Sequence, residues 1–174
     1  MKPIFDSTDS TVPMDKGPAA TDALPIGLTC AGSMTVTETH IVLGAGLIGG
    51  FAPVHVDHEA ARSRGLQGPI LHGSLTAAIM SAAIGRSLPD GRWTFLGQSN
   101  EYRAPVYAGD TLTTTWRLAA QQPHAGLGGT VARFEGACIN QRGERIATAD
   151  ARLLRRGDQR PTDGSMVEAR VVDS

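Results

Sequence analysis

The stretch HGSLTAAIMSAAIGRSL, residues 72–88, decides how this chain is read. It is rich in alanine and apolar nearly all round a helical wheel, which is the pattern of a helix buried on most sides. After it the hydrophobic period changes from that of a helix to that of a strand. FLGQSNEYRAPVYAGD (95–110) reads as one strand ended by Pro105 and a Gly-Asp turn. TLTTTWRLAA (111–120) alternates, with Leu112, Thr114, Trp116 and Leu118 on one face. GGTVARFEGACI (128–139) and ERIATADARLLRR (144–156) read as a hairpin about NQRG, where Gly143 supplies the turn conformation.

Upstream, GLTCAGSMTV (27–36) reads as a first strand. TETHIVLGAGLIG (37–49) has Ile41, Val42, Ala45 and Ile48 at helical spacing and Thr37 as N-cap. The segment GFAPVHVDHEAARSRGLQGPI (50–70) reads as a loop with a short helical turn at 57–63. The order is strand, helix, loop, buried helix, then four strands, which predicts an α+β arrangement with an antiparallel sheet wrapped round one long helix. A single unit of that kind leaves a sheet edge open, so at least a homodimer is expected.

The chain has 174 residues, enough for one domain with one core, and that domain is expected over 24–155. Residues 1–23 and 156–174 are polar or broken by proline and glycine, and are expected to be tails. The sixteen Lys and Arg are spread out and the net charge is −1, so there is no basic stripe for a nucleic acid. The first 25 residues lack the apolar run of a signal peptide, and no segment is long and apolar enough for a bilayer. Cys30 and Cys138 fall far apart in expected strands, and read as small buried hydrophobes with no disulfide or metal. A reduced, cytoplasmic protein is expected.

Three blocks then carry a resemblance: GFAPVH (50–55), LHGSL (71–75) and FLGQSNEYRAPVYAGD (95–110). In order and spacing, over about residues 24–155, they resemble the MaoC-like dehydratases, the R-specific enoyl-CoA hydratases, whose signature is an Asp-x-Asn-Pro-x-His loop followed by a His-Gly that opens the buried helix. The resemblance implies a hotdog fold and addition of water to, or its elimination to form, a 2-enoyl thioester. It implies His55 as a catalytic base and the Gly73 N–H as the donor that polarises the thioester carbonyl, with His72 and Ser74 beside it in the substrate site. That donor role fits the unpaired N–H groups and positive end of a helix N-terminus.

The family's Asp position is Gly50 here, and its Asn position is Ala52. Both are small, and both are expected to border substrate and leave room for a bulky or carboxylated one. Glu101 and Asn100 are the more interesting sources of a replacement polar group, and as strand neighbours only one of them can face the site. Asp57 reads as the N-cap of a short helix, with Glu59 beside it, and Glu38 and His40 as capping and surface groups. His58 and His124 read as exposed. No third partner near His55 and His58 supports a metal site. The buried helix carries no acid, which argues against thioester hydrolysis.

These features lead to a hydratase or dehydratase acting on an acyl thioester, with no cofactor beyond the coenzyme A or carrier protein attached to the substrate. Two other functions remain in view. One is a non-catalytic hotdog subunit that binds acyl thioester or pairs with an active homologue in a hetero-oligomer. The other is a related elimination or isomerisation in the same pocket. Arg62, Arg64 and Arg103 are candidates for phosphate contacts.

Overall fold

The computed structural model of the protein describes residues 23–88 and 92–156, so the expected tails lie outside the described residues except at their inner ends. The elements run β1 (Thr29–Thr35), α1 (Glu38–Ile48), α2 (Pro53–Val56), α3 (His58–Ser63), α4 (Gly73–Ser87), β2 (Trp93–Tyr102), β3 (Thr111–His124), a single 3-10 turn, β4 (Gly129–Ile139) and β5 (Arg145–Arg156). The strands form one five-stranded sheet in the order β1-β3-β4-β5-β2, every pairing antiparallel. The sheet curls so that both edge strands, β1 and β2, reach α4. This is the hotdog arrangement.

Alternation along the strands builds the core. Leu112, Thr114, Trp116 and Leu118 of β3 are all fully buried, as their spacing predicts. Trp116 lies opposite Gly136 of β4, where a Cβ would come within 2.5 Å of the indole ring. The glycine therefore leaves the space that the indole fills. The Trp116 indole N–H donates to the Met80 carbonyl of α4 at 2.9 Å, which ties the sheet to the helix. α1 closes on the start of α4 by a second such approach: a Cβ at Gly44 would stand 2.0 Å from Leu75 Cδ1. Thr37 caps α1 with its side chain, and His40 completes a reciprocal capping box.

Three details differ from the sequence expectation. α4 buries Thr76, Met80, Ala83 and Ile84, whereas Ser74, Ala78 and Ala82 are exposed. A single sheet covers one helix face, and small residues on the other face leave no periodic mark to tell the two apart. β2 ends at Tyr102 instead of continuing to the Gly-Asp turn, because the chain leaves the ladder before Pro105. The segment 103–110 is a loop closed by the buried Asp110 carboxylate, which accepts from the Tyr107 N–H at 2.9 Å and pairs with Arg142 at 2.9 Å. Residues 53–56, read as loop, form the one-turn helix α2, which proline starts at its first position.

Cys30 and Cys138 are buried free thiols. Among the described residues no helix is long and apolar enough to cross a membrane.

Candidate active site

His55 sits in the single turn of α2, and main-chain groups fix its position. The Ile70 N–H donates to the Val54 carbonyl at 3.1 Å, and the Ile70 carbonyl accepts from His55 Nδ1 at 2.7 Å. Ile70 thus holds α2 through both sides of one residue. The adjoining Leu71 N–H donates to the Val106 carbonyl at 2.8 Å, so the loop after β2 supports the clamp. A carbonyl carries no hydrogen, so Nδ1 bears the proton of the neutral ring, and Nε2 is left with its lone pair. That is the tautomer a general base needs.

His72 is the N-cap residue of α4 and is buried. Its ring stacks on that of His55, with centroids 3.6 Å apart and planes 23° from parallel. His72 Nε2–H donates to the Gly50 carbonyl at 2.6 Å, which staples the end of α1 to the start of α4. Its buried Nδ1 has no hydrogen-bond partner among the described residues.

Gly50 is therefore more than a lost side chain. A Cβ there would lie 2.8 Å from His72 Nε2 and 3.0 Å from its Cδ2, so any larger residue must push the imidazole aside. Gly50→Ala is expected to lower the unfolding free energy by about 1–3 kcal/mol through this crowding. Chemical denaturation checks it, and an unchanged midpoint would mean that His72 turns aside freely.

A cavity of about 380 Å³ brings His55 together with Gly73, Thr76, Tyr102 and the chain segment 103–106. Gly73 opens α4, and its N–H meets no acceptor among the described residues. Tyr102 ends β2 and donates its hydroxyl to the Gly73 carbonyl at 2.7 Å. A second cavity of about 320 Å³ lies on another side of His55, and Glu38, Val42, His58 and Tyr107 contribute to its wall.

The structure separates the other candidate residues. Gly50, Ala52, His72 and Ser74 line neither cavity: Gly50 and His72 bond to each other beside the base, and Ser74 is exposed. Ala52 is the N-cap residue of α2 and supplies no side-chain hydrogen bond. Glu101, expected to border substrate, lies outside both cavities and forms an exposed ion pair with Arg103. Asn100 faces α4 instead, where its carbonyl accepts from Gln98 at 2.6 Å, and Gln98 in turn meets Ser81 and the Ala77 carbonyl. Asp57 caps α3, accepting from the Glu59 and Ala60 N–H groups at 2.8 and 3.1 Å. No group of three or more His, Cys, Asp or Glu placed to hold a metal occurs among the described residues.

Residues 28–133 match the family model for a MaoC like domain, more than half of the chain. The chain belongs to the MaoC-like dehydratase family. Among curated relatives, the (R)-specific enoyl-CoA hydratase of Rhodospirillum rubrum is 36% identical over 97 residues, which cover 56% of this chain and 67% of that protein. Among solved structures, the (R)-hydratase from A. caviae involved in PHA biosynthesis superposes with a TM-score of 0.69 at 26% identity, covering 77% of this chain and 98% of that one. The R-hydratase PhaJ1 from Pseudomonas aeruginosa gives 0.69 at 27% identity, covering 78% and 84%.

Two lining residues of this MaoC-like domain escaped the sequence reading. Thr76 lies one turn into α4, and its hydroxyl donates to the His72 carbonyl at 3.5 Å. Tyr102 shares a strand face with Gln98 and Asn100, so period-2 alternation from Asn100 would have found it.

Proposed function

We propose that this MaoC-like domain is a hydro-lyase that adds water reversibly to a 2-enoyl thioester. The observation that carries the reading is the meeting of His55 and Gly73 in one cavity, with the His55 proton held on Nδ1 by Ile70. The substrate carbonyl would take the Gly73 N–H. In the dehydration direction Nε2 of His55 would remove a proton from C2, and the C2–H electron pair would pass to the carbonyl oxygen held by Gly73. The C3–O bond would then break as that pair returns to form the double bond, with the hydroxyl protonated as it leaves; hydration is the reverse. A preorganised donor at the enolate oxygen contributes about 3 kcal/mol to such a barrier.

No resident cofactor enters this scheme, and coenzyme A or a carrier protein arrives with the substrate. Arg103, at the cavity wall, is the arginine best placed to meet a polar part of that carrier. A cytoplasmic homodimer or larger oligomer belongs to the same reading, since β2 is an edge strand with Phe95 and Leu96 exposed.

The test is hydration of a short trans-2-enoyl-CoA, followed by loss of enoyl absorbance. Turnover is expected from the chain purified alone; its absence across short, branched and carboxylated enoyl thioesters would overturn the proposal. One observation favours the alternative of a non-catalytic subunit: neither Gly50 nor Ala52 brings a polar side chain, and the ring of His72 crowds position 50. In that case the chain expressed alone would be insoluble or inactive, and co-expression with an active homologue would give a mixed oligomer.

A further inference from the structure

We infer that the Tyr102 phenol is the proton donor that works opposite His55, in place of the absent carboxylate. This inference rests on the hydro-lyase reading above. A base alone does not complete an elimination, because the departing hydroxyl needs a proton as its bond to C3 breaks. Among the described residues no carboxylate lines the 380 Å³ cavity. The side chains there with a proton to give are His55, Thr76, Tyr102 and Arg103. Thr76 is 2% exposed whereas Tyr102 is 48% exposed, and Arg103 is paired with Glu101. Tyr102 is left.

Its placement suits the role. The ring packs against Gly73, whose Cβ, if present, would lie 3.0 Å from the ring carbon bearing the hydroxyl. The hydroxyl is 2.7 Å from the Gly73 carbonyl oxygen, on the residue whose N–H faces the thioester in this scheme. A phenolic hydrogen rotates about its C–O bond, so it can move from that carbonyl to a substrate oxygen while the ring stays in place. Burial pushes the Tyr102 phenol up from its ordinary value, which keeps it a donor across the neutral range. The titratable or charged groups from the elements packed about it are His55 of α2, His72 at the start of α4, the Arg103–Glu101 pair, and Arg145 of β5, two residues before Ala147, the ladder partner of Tyr102.

In the dehydration direction, His55 Nε2 takes a proton from C2. The electron pair of that C2–H bond becomes the C2–C3 double bond as the C3–O bond breaks, and the C–O pair leaves with the oxygen. Tyr102 gives its proton to the departing hydroxyl, which leaves as water. The imidazolium returns its proton to the phenolate through that water, and both groups are restored. Hydration is the reverse.

The experiment compares wild type, Tyr102→Phe and His55→Ala on one enoyl-CoA, with the Kd for a saturated acyl-CoA of the same length measured beside kcat. Tyr102→Phe removes one oxygen and keeps the ring on Gly73. The expected result is a fall in kcat of about 10²-fold, an unchanged Kd, and loss of the high-pH limb of the rate profile. A fluorotyrosine placed at position 102 keeps both ring and hydroxyl, and should move that limb to lower pH. Near-wild-type kcat for Tyr102→Phe, or an unmoved limb with fluorotyrosine, would overturn the role of Tyr102. If His55→Ala is dead in the same assay, the hydro-lyase reading survives that outcome. A wild type without turnover overturns both.

Discussion

With His55 replaced by alanine, turnover of an enoyl thioester is expected to fall by about 10²–10⁴-fold, with binding of a saturated acyl-CoA retained. The variant removes the base nitrogen and one lining ring but leaves the other walls of the cavity in place. His72 keeps its own hydrogen bond to the Gly50 carbonyl and Ile70 keeps its bond to Val54, so the fold loses only the His55–Ile70 bond and the ring stack. The contrast between kcat and Kd therefore isolates chemistry from architecture. Equal loss of both would show that His55 supports the pocket, and turnover at the wild-type rate would remove it from the mechanism.

Trp116→Ala is expected to cost about 3–5 kcal/mol of stability. The indole is fully buried, occupies the space left open by Gly136, and is hydrogen-bonded to α4 through Met80. Its removal leaves a cavity between paired strands and takes from the Met80 carbonyl the second donor it has besides its helical partner. For a chain of this size the midpoint of thermal unfolding should drop by roughly 6–20 °C. Trp116→Phe separates the two contributions, since it keeps most of the packing and gives up only the bond to Met80. A drop below about 3 °C for the alanine variant would show that the core repacks around the gap.

The fold was legible because its strongest marks are local. The alternation that buries Leu112, Thr114, Trp116 and Leu118, the cap at Thr37 and the turn glycine at 143 each follow from residues close in the chain. Asp57 as a helix cap belongs with them. His55 and Gly73 were implied by the family resemblance of their motifs, and the structure brings them to one cavity. What stayed hidden depends on residues far apart in sequence. The contact that crowds position 50 joins residues 22 apart. Tyr102 over Gly73 joins residues 29 apart. Neither leaves a periodic trace. Asn100 and Glu101 point to opposite faces as strand alternation requires, but neither lines either cavity, and that depends on the helix that β2 crosses.

The clamp at Ile70 means that the base is aimed by amides and carbonyls, which every residue except proline supplies alike. Side chains at 70, 71 and 106 line the cavity but take no part in that aim, so a change in the wall leaves the orientation of the imidazole to the main chain. Precision at the reacting nitrogen and variability in the pocket wall are thus separately inherited in this protein, one through the main chain and the other through what hangs from it.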